Sequence, residues 1–176
     1  AFLRHLVERG LKGVRLIISD ACRGLVESAA EYLPDARWQR CMVHFYRNIF
    51  SHVPATRVRD VSHMLKAIHA QEDQAAAMRK GDEIIAKLKS IKLSDAARIL
   101  QEGLQETLTY MRFPREHWKR IRTNNALERM NREIRRRTRV VGNFPDGRSA
   151  LMLVSARLRY ISTTNWGQKR YLDMNL

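Results

Sequence analysis

Cysteine is scarce in this chain, with Cys22 and Cys41 the only two in 176 residues. That number is too small for a disulfide framework and fits a reducing compartment. Acidic residues are outnumbered, 18 Asp and Glu against 33 Lys and Arg, which leaves a formal net charge of +15. No apolar run approaches the roughly 18 to 20 residues of a membrane-spanning helix, and no signal-peptide pattern opens the chain. No internal repeat, low-complexity tract, helix-turn-helix or zinc-finger signature is visible. These absences set aside the secreted disulfide scaffold, the membrane span and the solenoid, and they predict a soluble intracellular protein that does not span a membrane. What is present is a 44% hydrophobic composition, sufficient for one domain with a core and a small second lobe. The basic excess points to a polyanionic partner, nucleic acid first and an acidic membrane surface second.

Taken in order, Phe2, Leu3, Leu6 and Val7 fall at helical spacing and Gly10 is a plausible C-terminal cap. The chain has no initiator Met and no N-cap before this pattern, so it is expected to start inside an element, as a fragment would. V-R-L-I-I-S-D then predicts a strand buried on both faces that ends on Asp20. Leu25, Val26, Ala29, Ala30 and Leu33 make one face of a helix stopped by Pro34, and A-R-W-Q-R-C-M reads as a second strand. Residues 14 to 42 therefore predict a parallel β-α-β unit with a right-handed crossover. Functional groups gather at the carboxyl ends of such strands, where this reading puts Asp20; the alternative for Asp20 is a helix N-cap. Cys41 and His44 form a Cys-x-x-His pair, half of a zinc site that no second Cys or suitably spaced His completes. The simpler alternative has Cys41 in the core and His44 holding a polar group at a strand-to-helix junction.

From Val43 to Met111 the pattern is helical: about 43 to 52 closed by Pro54, a helix with Val58, Val61, Leu65 and Ile68, and one from Asp73 to about Leu88. A fourth, with Ser94 as N-cap, is expected through Ala97, Leu100, Leu104, Leu108 and Met111 until Phe113-Pro114. Thr123 to Thr138 has no Gly or Pro over sixteen residues and predicts another helix. Leu127, Met130 and Ile134 share a narrow stripe, while Glu128 groups with Asn124, Asn131, Arg132 and Arg135. A carboxylate among guanidinium groups suits a metal ligand better than a general acid. The plainer alternative is a solvated face on which Glu128 and Arg132 form an i,i+4 pair. V-V-G-N-F-P-D-G reads as a loop, Ala150 to Ile161 as a final apolar helix, and Ser162 to Leu176 as a tail whose Trp166 and Tyr171 pack back or stack on bases.

Three ordered stretches resemble the Mutator-type transposases of the bacterial insertion-sequence branch. They are G-V-R-L-I-I-S-D ending at Asp20, W-Q-R-C-M-V-H-F-Y-R-N from Trp38, and N-A-L-E-R-M-N-R-E-I-R-R-R-T-R-V-V-G-N-F-P from Asn125, with F-P-R-E-H-W at Phe113 just before the third. The resemblance implies an α/β fold, a partial ribonuclease H-like fold with a truncated sheet and an all-helical insertion before the last acid of an Asp-Asp-Glu triad. The expected division is 1–53 for the partial core with Asp20, 54–114 for the insertion, and 115–176 for core-completing helices with Glu128 and the tail. Asp20 matches the second acid and Glu128 the third, both as catalytic metal ligands. Cys41 and His44 match the family's Cys-x-x-His signature and, with Asn125 and Asn131, are expected to support the site. The family's first Asp lies on a strand upstream of Ala1, and Cys22 departs from the polar residue expected after the Ser-Asp-Ala turn.

The implied activity is metal-dependent cleavage and strand transfer of an insertion element's DNA, with Mg2+ or Mn2+ as cofactor and zinc not expected. In such chemistry two divalent ions activate the attacking hydroxyl and stabilise the leaving oxygen, held by carboxylates from separate elements. With two of three acids, the chain alone is expected to bind DNA nonspecifically without cutting it. Arg129, Arg132, Arg135, Arg136 and Arg139, with Lys119 and Arg122 before them, are the DNA-binding candidates; phosphate contacts give affinity and position but no sequence information. The implied partners are transposon ends and target DNA, with a homodimer as a family-level expectation and a cytoplasmic, nucleoid-associated location in bacteria. The competing reading is a basic remnant that binds DNA without catalysis; a zinc-stabilised structural protein is a third.

Overall fold

The computed structural model describes residues 2–168 and residue 172. The first elements follow the apolar pattern: α1 (Phe2–Glu8), β1 (Leu16–Ser19), α2 (Arg23–Tyr32) and β2 (Arg37–Arg40). β1 and β2 pair in parallel, in register from Leu16 opposite Arg37 to Ser19 opposite Arg40, so the expected β-α-β unit is present. β1 is less enclosed than its aliphatic run suggests: Ser19 is buried, while Leu16, Ile17 and Ile18 are only half-buried. The reason is sheet width, since the sheet among the described residues has two strands and each has a single neighbour.

A helical block follows, with α3 (Met42–Phe50), α4 (Val58–Ile68), α5 (Gln74–Ser90) and α6 (Ser94–Gly103). α3 stops at Phe50 with Ser51 as its C-cap, short of Pro54, which instead precedes a 3-10 turn at Ala55–Arg57; the Asp73 carboxylate caps α5 by accepting the Ala76 N–H at 2.7 Å. Their apolar stripes make the core, with Phe45, Ile49, Leu65, Ile68, Leu88 and Leu100 fully buried, and Leu104, Leu108 and Tyr110 of the segment after α6 are buried with them.

Two expectations fail at α6. Its N-cap is Leu93, with Ser94 already helical and making no side-chain capping bond. The helix also stops at Gly103 rather than running to Met111, and 3-10 turns at Gln105–Thr107 and Thr109–Arg112 take over. Gln39 of β2 explains the break. Its fully buried amide donates to the Thr107 carbonyl at 2.8 Å and accepts the Tyr110 N–H at 2.8 Å, so these backbone groups pair with a strand side chain instead of a helical turn. Two further short elements, a 3-10 turn at Arg115–His117 and α7 (Trp118–Ile121), complete this part.

The chain packs as two units, residues 1–123 and 124–176. The second contains α8 (Asn125–Val141), α9 (Gly147–Thr163) and α10 (Asn165–Gln168). Val140 and Val141, expected in a loop, extend α8 until Gly142 ends it with φ +76°, a conformation that glycine adopts without a Cβ penalty. α9 begins three residues before Ala150, because Asp146 caps it by accepting the Ser149 N–H at 2.6 Å. α8 has no buried residue; Leu127 is 54% exposed, and Met130 and Ile134 are half-buried. An ion pair crosses from α8 to α9: Glu133, which also contacts Arg136 at 3.0 Å and Arg137 at 3.5 Å on its own helix, pairs with Arg157 of α9. Hydrogen bonding by Arg136 first, partly offset by desolvation and then reinforced by Arg157, holds the Glu133 carboxyl below its ordinary range. Tyr171 lies outside the described residues.

Candidate metal centre and basic helix

The parallel register makes β1 and β2 end level, so the next residues, Asp20 and Cys41, emerge side by side at the carboxyl edge. The Cys41 N–H donates to the Ser19 carbonyl at 2.8 Å. The Asp20 carbonyl accepts both the Ser19 hydroxyl and the Cys22 N–H, each at 2.8 Å, while the Trp38 indole donates to the Ser19 hydroxyl at 2.9 Å. Asp20 is thus fixed through its backbone, with its side chain left to project. It is not a helix cap: α2 has Cys22 as N-cap, without a side-chain capping bond.

Cys41 is the N-cap of α3 and completely buried; His44, three residues on, shares its face of the helix. The His44 Nδ1 pairs with the Asp20 carboxylate, on side chains 27% and 54% exposed respectively. Among the described residues, Asp20, Cys41 and His44 form a group whose ligand atoms all lie within 4.8 Å of one another. Sequence spacing supplied Cys41 and His44 but not their link to Asp20. The signal was there, since each of Asp20 and Cys41 directly follows a strand run, and level parallel strands bring such residues together.

Glu128 lies in the first turn of α8 in the second unit, half-buried, with Asn125 as the first helical residue. Asn131, Arg129, Arg132, Arg135, Arg136 and Arg139 of the same helix are exposed. Arg129 stacks over the Trp166 ring at 4.6 Å, and Arg157 over Tyr160 at 4.7 Å. Together with Arg132 and Arg136 these groups line an open cavity of about 470 Å³ within the second unit. In the first unit Lys119 is exposed, whereas Arg122 is half-buried and hydrogen-bonds the Tyr110 hydroxyl. No helix among the described residues is long and apolar enough to cross a membrane.

These features define a strongly basic α/β protein with an acid at the carboxyl edge of a parallel β-α-β unit and another on an Arg-rich helix. The family described as "Transposase, Mutator family" matches residues 1–168, and the chain belongs to it. It is 40% identical over 175 residues, 99% of its length, to the transposase for insertion sequence element ISRM5 of Rhizobium meliloti. It is 41% identical over 176 residues to the transposase for IS1081 of Mycobacterium tuberculosis, and 35% identical over 158 residues to that for IS256 in transposon Tn4001 of Staphylococcus aureus. The chain spans 44%, 42% and 40% of the length of these three relatives.

Proposed function

We propose that the chain is the Asp20- and Glu128-bearing part of a DNA transposase of the Asp-Asp-Glu type, built on a ribonuclease H-like core that the helical segment 54–114 interrupts. The observation that carries this reading is membership of the Mutator family combined with Asp20 at the carboxyl end of β1. The donor chemistry fits, since carboxylate oxygens suit hard divalent ions such as Mg2+ or Mn2+. When bound, such ions supply activation of the attacking hydroxyl and stabilisation of the leaving oxygen in phosphodiester displacement. Asp20 offers an exposed carboxylate on a backbone anchored by Ser19 and Cys22. Glu128 offers the second from the first turn of α8, and the exposed arginines of α8 hold DNA phosphates. Action on insertion-element ends and target DNA, as a dimer in the bacterial nucleoid, belongs to the same proposal.

The test is nicking of plasmid DNA in Mg2+ or Mn2+ by the full-length protein carrying Asp20→Asn or Glu128→Gln. Each substitution is expected to lower nicking by more than the about 10- to 100-fold that loss of an outer-shell partner costs, with DNA retention kept. Unchanged nicking by the Glu128 variant, alongside loss on removal of the α8 arginines, would leave a basic DNA-binding module in place of this reading.

A further inference from the structure

Asp20, Cys41 and His44 have a donor set that hard-metal chemistry does not need. A thiol, an imidazole and a carboxylate together match the borderline and soft ions of the zinc class, whereas Mg2+ prefers oxygen ligands and near-octahedral geometry. We propose that this corner is a three-ligand site for a zinc-class transition metal, with a fourth coordination position open to solvent or substrate.

The geometry is close to what such an ion requires. Bond lengths near 2.0 to 2.3 Å put the ligand atoms of a tetrahedral zinc about 3.5 Å apart. The three ligand atoms here lie within 4.8 Å of one another, so side-chain adjustments of about 1 Å, the His44–Asp20 pair parting from direct contact, match that spacing. The backbone beneath them is already fixed. The Cys41 N–H is tied to the Ser19 carbonyl at 2.8 Å, and the Asp20 carbonyl is held by both the Ser19 hydroxyl and the Cys22 N–H. The Met42 N–H is bonded to the Arg122 carbonyl at 3.1 Å, which secures the start of α3. Cys41 is buried while Asp20 is exposed, so an ion enters from the Asp20 side and finds the sulfur at the floor. The His44 Nδ1 and the Asp20 carboxylate now contact each other, and a metal inserted there replaces that contact.

The site stands on these three residues; it shares the Asp20 carboxylate with the proposed Mg2+ reading, so the two ions compete for that group, and it does not require that Asp20 act in DNA cleavage. The test is a cobalt titration of the full chain, because Co2+ substitutes for zinc and reports its ligands by absorption. The expected result is one equivalent bound, with a near-ultraviolet thiolate-to-cobalt band and the visible spectrum of a four-coordinate ion. Zn2+ should bleach both, and a large excess of Mg2+ should bleach neither. Cys41→Ser should abolish the near-ultraviolet band; Asp20→Asn and His44→Asn should each weaken Co2+ binding at least about tenfold. Cys22→Ser should leave the spectrum unchanged, since Cys22 is exposed and outside the group. Asp20→Asn keeps the test decisive if the buried Cys41 variant misfolds, because Asp20 is exposed. Absence of a thiolate band, a band that follows Cys22 instead of Cys41, or insensitivity to both the Asp20 and His44 variants overturns the proposal. None of these readouts involves nicking, so they are independent of the catalytic reading.

Discussion

His69, next after α4, is enclosed by two tyrosines, its ring 5.6 Å from that of Tyr46 and 6.0 Å from that of Tyr110, with Nδ1 3.3 Å from the Tyr110 hydroxyl. Burial first, and the Arg122 charge second, push its pKa down from 6.5 to about 3. The unfolded chain therefore takes up a proton as pH falls below 6.5, while the folded one refuses it until about pH 3. His69's share of stability is complete above the unfolded value and is lost progressively as pH falls from 6.5 towards 3. Between pH 7 and pH 5 that amounts to about 2 kcal/mol. Urea unfolding at the two pH values measures it. In His69→Phe the difference between them should shrink by about that amount, and an undiminished difference would assign the acid sensitivity to another group.

At the scale of elements, the end of α6 lies tight against β2 and α3. A Cβ at Gly103 would stand 2.6 Å from the Phe45 ring of α3 and 2.5 Å from the Arg40 guanidinium of β2. Arg40 is itself held there by Glu106 at 3.1 Å and by stacking over Phe45 at 4.7 Å. Ala at this position gains up to about 1 kcal/mol of helix propensity, but overpacking costs about 1 to 3 kcal/mol. Overpacking wins because Phe45 is buried and has nowhere to go, so Gly103→Ala should lower the urea midpoint. Gly24→Ala in α2, where a Cβ meets nothing within 4 Å, should raise it or leave it unchanged. The same region shows where the sequence was legible. The apolar pattern found β1 by its aliphatic run, and α2 and α3 because each has one apolar face with a Pro after it. It carried α6 too far because Leu104, Leu108 and Met111 keep helical spacing through a segment of 3-10 turns in which the Thr107 carbonyl and the Tyr110 N–H bond Gln39, and a polar residue in a short strand gives no sign of a partner 68 positions away. The site was legible in parts: Cys41 and His44 by spacing, Asp20 by its strand end, and their meeting only through strand register.

For the whole molecule, the net charge of +15 guarantees some attraction to DNA, so affinity alone says little about where DNA sits. Position shows in the salt dependence of substitutions that remove equal charge. Arg132, Arg135 and Arg139 are exposed on α8, whereas Arg136 is engaged by Glu133 and Arg129 by Trp166. If the first three contact phosphates, replacing all three with Ala should reduce the slope of log K against log salt by up to about 3, at about 0.9 per contact on duplex DNA. Arg79, Lys87 and Lys89 on α5 provide the comparison: they are equally exposed, and replacing them removes the same charge. Their loss should weaken binding at low salt through the overall field while leaving the slope nearly intact, because no condensed counterion is released at groups that do not touch the duplex. Equal slope changes in the two triple variants would mean that DNA follows the net charge of the chain and that α8 is not its seat.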